Sequence, residues 1–183
     1  MSNWNKIFKP IVVLCVICIV VTGALAATNR VTAPIIEAAT LAAQEAARTE
    51  LLPDAQGFEK VEGINVANVS DVYRTTNDVG VVITSSAKGY GGDVVVMTAI
   101  TPDGTIKQIK VTEQSETKGI GSNVVSTPSY WERYEGVSAG QALVLNQDID
   151  AYSGATISSK AVLSAVNSAI EAYNQIQIGR AHV

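Results

Sequence analysis

Ile11 to Ala27 is a run of 17 residues without a charge, and no other stretch constrains this chain as much. As an α-helix it is about 26 Å long, close to the ~30 Å hydrocarbon core of a bilayer. Ile7 and Phe8 can extend it. The first expectation is therefore a single transmembrane helix. Lys6 and Lys9 precede the run, so the N-terminus is expected in the cytoplasm and everything after Arg30 outside. The competing reading is a cleaved signal peptide, with the lysines as its basic region and Ala24-Leu25-Ala26 as a small-x-small cleavage site. Both readings export the rest of the chain.

The cysteines, Cys15 and Cys18, both lie in this run. A C-x-x-C pair in a membrane helix could hold a metal or a redox partner. The plainer reading is two small hydrophobes in an apolar helix. The exported part has no thiol and so no disulfide or thiolate metal site. The net charge of -4 over the whole chain gives no basic footprint for nucleic acid. The single histidine, His182, lies next to the last residue, which makes a histidine-based catalytic centre improbable on sequence grounds.

Thr32 to Leu52 reads as a second helix, a stalk. Thr32 can cap it, Pro34 suits its first turn, and Pro53-Asp54 stops it. Beyond it the pattern changes to short β-rich runs: Val69 to Tyr73, Gly80 to Ser85, Asp93 to Ile100 and Ile106 to Val111. Thr101-Pro-Asp-Gly104 is a turn between the last two. Tyr130-Trp131-Glu-Arg-Tyr134 suits core packing better than ligand stacking. Val162, Val166, Ala169, Ile170 and Tyr173 keep helical spacing, so a final helix should lie against the sheet. The expected fold class is α+β: a transmembrane helix within residues 1–30, a stalk helix over 31–55, and a mainly antiparallel sheet packed with helices over 56–177. The tail, residues 178–183, breaks the helical pattern at Gly179 and matches one reading frame of a common sequencing-library adapter. It is expected not to be native.

Three stretches carry candidate chemistry. Lys88-Gly89-Tyr90-Gly91-Gly92 is either a hairpin loop or a loop shaped around a ligand ring, because clustered glycines permit close backbone approach. Glu116-Thr117-Lys118-Gly119-Ile120-Gly121 can offer backbone N–H groups and a carboxylate to a polar ligand edge. Its lone G-x-G follows no βαβ pattern, so it is not a dinucleotide fingerprint. Asp150-Ala-Tyr-Ser153-Gly154-Ala155-Thr156-Ile-Ser158-Ser159 is a turn feeding a helix. Ser158 and Ser159 are expected N-caps. Such a helix start favours phosphate through its free N–H groups and dipole, and Thr156 places a hydroxyl there. The alternative is a capped turn with no ligand.

In their order and spacing, G-Y-G-G, E-T-x-G-I-G, a tryptophan segment and S-G-A-T-x-S before a helix resemble the FMN-binding domain. The N-terminal helix and the E-L-L-P-D-A at the stalk end resemble the G subunit of the Rnf electron-transport complex. The C subunit of sodium-pumping NADH:quinone reductase shares the domain. The resemblance implies covalent FMN, joined to Thr156 by a phosphoester. A separate flavin transferase would make the bond from FAD with magnesium, recognising Asp150, Ser153, Gly154, Ala155 and Ser158. Tyr90, Gly91, Gly92, Glu116, Thr117, Gly119 and Gly121 match loops near the flavin. Lys118 departs from the family's usual proline, which implies a less rigid loop and a lysine that could favour the reduced flavin. The implied role is electron relay, without catalysis by the chain alone. It would serve a membrane complex with iron–sulfur subunits that couples ferredoxin and NAD to ion movement. The alternatives are a stand-alone exported flavoprotein and the C subunit of sodium-pumping NADH:quinone reductase. The implied surroundings are the cell membrane and its lipid.

Overall fold

The computed structural model describes residues 8–116 and 121–181. Two compact units divide the chain, one reaching Gln44 and one starting at Glu45. The first is helical throughout its described residues. It is the greater part of α1, Lys9–Leu51, the one helix among the described residues long and apolar enough to cross a membrane.

The separate stalk helix expected from Thr32 onward is not there: α1 runs on through Pro34. Thr32 does not cap a new helix; its hydroxyl donates to the carbonyl of Thr28 at 2.9 Å, as that of Thr28 does to Ala24 at 3.0 Å. The physical reason is economy of hydrogen bonds. A break would orphan about four donors and four acceptors, whereas an internal proline removes a single N–H bond and adds one steric clash.

The second unit is an α+β domain. Its sheet is an antiparallel meander in the order β1-β2-β3-β4-β5, comprising β1 Phe58–Lys60, β2 Val69–Thr75, β3 Val81–Lys88, β4 Asp93–Ile100 and β5 Ile106–Glu113. Short apolar alternation with turn residues between makes neighbours in sequence neighbours in space. The strand β1 has no signal in the residue pattern. Only three of its residues pair, Phe58 with Thr75 through Lys60 with Tyr73, too few to show a period.

Both faces of the central strands are covered. Val81, Ile83, Val94, Val96 and Ile100 face one core together with Val162, Val166, Ala169, Ile170 and Tyr173 of α4, Thr156–Ala181. Val82, Met97 and Ala99 face the other, against Ala47, Leu51 and Leu52 at the end of α1. Each fully buried aliphatic side chain contributes about 1.5–3 kcal/mol. Polar bonds fix the packing: the Ser85 hydroxyl donates to Ala165 O at 2.7 Å, and the Tyr173 hydroxyl donates to Pro102 O at 3.1 Å. Arg48 stacks over Tyr73, 4.1 Å from its ring centroid. Lys107 pairs with Asp54 and Lys110 with Glu50.

Between β5 and α4 lie α2, Ser122–Val125, α3, Pro128–Trp131, and a 3-10 turn, Glu132–Tyr134. Tyr130 and Tyr134 are buried in the first core, as expected of that aromatic segment. Burial pushes the Tyr134 phenol well above its ordinary value. The expected stop at Gly179 is absent, since α4 continues to Ala181. One glycine costs a helix only about 1 kcal/mol relative to alanine.

Ile83 is fully buried in the middle of the sheet. Ile83→Ala should therefore lower the unfolding free energy by about 2–5 kcal/mol, read from the urea midpoint of the domain's unfolding transition.

Candidate functional site

The start of α4 is built by a turn. The Ala155 N–H donates to Tyr152 O at 3.0 Å, and Gly154 takes φ 79°. That is the third position of a type II turn, where a side chain would be strained. Ser159 fastens the turn to the helix: its hydroxyl accepts the Tyr152 N–H at 3.0 Å and donates to Ala155 O at 2.9 Å. The expected capping by Ser158 and Ser159 is thus corrected. The helix begins at Thr156, so both serines lie inside its first turn and use their hydroxyls elsewhere.

Ser158 points at Glu116. Its hydroxyl donates to Glu116 Oε2 at 2.9 Å. Glu116 Oε1 accepts the backbone N–H groups of Tyr90 at 2.8 Å and Gly91 at 3.4 Å. The Glu116 N–H itself donates to Gln114 Oε1 at 2.7 Å. One buried carboxylate therefore ties the β3–β4 loop to the first turn of α4. Bonds to a charged group are the strong ones, about 1.5–3 kcal/mol each. The expectation that this carboxylate is held out to a ligand edge needs revision, because protein donors already engage both of its oxygens.

The glycines around it are there for room. A Cβ on Gly89 would run into Glu116 Oε1, and one on Gly121 into Glu116 Oε2 and the Ser158 hydroxyl. A Cβ on Gly91 would strike the Ser115 carbonyl. The glycine loop serves in both of the ways its sequence allows: as the β3–β4 hairpin connection and as one wall of a cleft.

That cleft has a volume of about 580 Å³ and is lined by Tyr90, Glu116, Gly121, Gly154 to Ala155, and Thr156 to Ser158. The size falls within the ~300–1,000 Å³ of pockets that take small molecules and cofactors. Thr156 is exposed on its wall. Tyr90 and Ile157 flank it at 72% and 54% exposure and give its mouth an apolar surface. Of the expected site residues, Tyr90, Glu116, Gly121, Gly154, Ala155, Thr156 and Ser158 come together here. Gly91 and Gly92 back the loop against Ser115 rather than line the cleft. Ser153 is exposed at the turn. Asp150 is exposed outside the lining, its carbonyl accepting from Arg133 at 3.2 Å. Thr117, Lys118 and Gly119, like His182, lie outside the described residues.

Sequence reasoning misses Ile157 and Ser115. Ile157 could have been found: three and seven residues on, its helix face carries Lys160 and Ser164, so an isoleucine there has no core to enter. Ser115 only backs the glycine loop, its backbone carbonyl standing where a Cβ on Gly91 would collide, and no residue type announces that. Behind the turn, Tyr152 meets Tyr130 edge-on with centroids 6.2 Å apart, so the turn rests on the core.

Comparison with known proteins gives the chain a family. Residues 89–171 match the profile of the FMN-binding domain, and residues 1–51 that of the RnfG N-terminal region. Over 199 residues the chain is 34% identical to the G subunit of the Na(+)-translocating ferredoxin:NAD(+) oxidoreductase complex of Acetobacterium woodii, covering 95% of each chain. The chain belongs to the RnfG family. Another member, the G subunit of the proton-translocating ferredoxin:NAD(+) oxidoreductase complex of Clostridium ljungdahlii, is 30% identical over 93% of each chain. Among solved structures, NqrC of Shewanella oneidensis matches 70% of this chain and 74% of its own at 24% identity and a TM-score of 0.49. In this member of the RnfG family, the FMN-binding match spans the glycine loop, Glu116, the Gly154 turn and the first turns of α4.

Gly121→Ala should break the Glu116–Ser158 contact. The expected cost is about 1–3 kcal/mol, as for other overpacked sites, measured as a lowered urea midpoint with an unchanged slope.

Proposed function

We propose that this chain is the electron-transfer subunit of an Rnf-type complex and carries FMN bonded through its phosphate to Thr156. The observation that carries the reading is the placement of Thr156. Its side chain is exposed, it is the first residue of α4, and it lines the cleft. A helix start presents unpaired N–H groups and a positive dipole end, which together suit a phosphate diester.

The rest of the cleft fits the cofactor. Tyr90 and Ile157 offer apolar surface to a flat ring. When bound, FMN supplies the redox chemistry; the protein binds it, orients it and sets its electrostatics. Gly154 and Ser159 hold the acceptor turn, and Glu116 holds the opposing loop to it. The attachment needs a flavin transferase, with Asp150 and the Ser153–Ser158 stretch as its recognition sequence. The role in ferredoxin:NAD electron transfer coupled to ion movement follows from the kinship with the G subunits of the Acetobacterium woodii and Clostridium ljungdahlii complexes, and it implies further membrane and iron–sulfur subunits. With Lys6 and Lys9 on the cytoplasmic side, the domain faces away from the cytoplasm in this reading.

Co-production with a flavin transferase tests the attachment. The denatured wild-type chain should fluoresce in a gel, and its Thr156 peptide should carry the mass of FMN. Thr156→Ala should lose both signals completely. Covalent flavin that persists in Thr156→Ala would overturn the assignment.

A further inference from the structure

Glu116 does more than join two loops. The residue is 7% exposed, yet it lines the same cleft as Thr156. The ion pairs of the described residues join Lys60 to Asp71, Lys107 to Asp54 and Lys110 to Glu50, and Glu116 takes part in none of them. Among the described residues its side-chain partners are two backbone N–H groups and one hydroxyl. These are dipoles, which do not neutralise the charge of a carboxylate. From these observations we infer that Glu116 is a potential-setting residue, whose charge disfavours electron arrival at a flavin bound in the cleft. The inference rests on the proposed attachment at Thr156.

The physics is repulsion between fixed and arriving charge. Two-electron reduction of a flavin with uptake of one proton leaves the ring with one more negative charge than before. A carboxylate in a partly dry wall acts through an effective dielectric of about 20 rather than the 80 of water, so its effect on that charge is several-fold stronger than in bulk. The oxidised form is therefore favoured, and the midpoint potential is held low. The fold maintains the arrangement: the three donors fix the carboxylate in place, and Gly89 and Gly121 leave the space it occupies. A bond-for-bond replacement separates charge from scaffold. In Glu116→Gln the amide oxygen can still accept from Tyr90 and Gly91, and the amide nitrogen can donate to the Ser158 hydroxyl, which rotates to accept.

The test uses the full-length chain loaded by a flavin transferase, with covalent FMN quantified first and the potential then measured by spectroelectrochemical titration. Glu116→Gln should retain the FMN and shift the midpoint positive by at least about 30 mV, tenfold in the two-electron equilibrium constant. Glu59→Gln removes an exposed carboxylate of β1 that does not line the cleft and should stay within that interval of wild type. A fully loaded Glu116→Gln chain at the wild-type potential overturns this inference and leaves the attachment standing. A wild-type chain without covalent FMN overturns both. Should Glu116→Gln fail to accumulate, Glu116→Met removes the same charge with a side chain of similar length. The same positive shift is then expected, and its absence overturns the inference.

Discussion

The hydrogen bonds of one carboxylate organise the cleft. Glu116 follows the end of β5, and its side chain reaches the loop between β3 and β4 on one side and the first turn of α4 on the other. Three segments far apart in sequence therefore meet at two oxygen atoms. Leaving those oxygens unpaired would cost the full desolvation of a buried charge, so the loop and the helix are held in register with one another. Gly89 and Gly121, one from each motif, follow from the same constraint: they are spaces cleared for a side chain of the protein itself.

The sheet supplies the rigidity this needs. A five-stranded meander with α4 on one face and the end of α1 on the other buries β3 and β4 from both sides. The loops at one end of such a layer can be irregular because the strands beneath them are not. The start of α4 is anchored at both scales. Val162, Val166 and Ile170 pack on the sheet, while Ser159 and the type II turn at Gly154 set the first turn residue by residue.

Much of this is legible in the residues. Alternation places β2 to β5 within a few positions, Thr101 to Gly104 form the turn they spell, and the apolar face of α4 follows from its spacing. Thr156, Tyr90 and Glu116 stand out as parts of one site and do line one cleft. What stays hidden has physical causes. Pro34 looks like a helix start, but a helix tolerates one missing N–H more readily than two new ends. Ser158 and Ser159 look like caps, but a hydroxyl's partner depends on what the fold brings near, and for Ser158 that is Glu116 from 42 residues away. Ser115 works through a carbonyl that every residue possesses.

The exposure of Thr156 has a consequence for the order of biogenesis. The turn that presents it is complete without any ligand: its backbone bond, its left-handed glycine and its serine bridge are all protein. Under the proposed attachment at Thr156, a transferase has no need to catch an unfolded chain: it can act on a finished domain, and its substrate is a shape as much as a sequence.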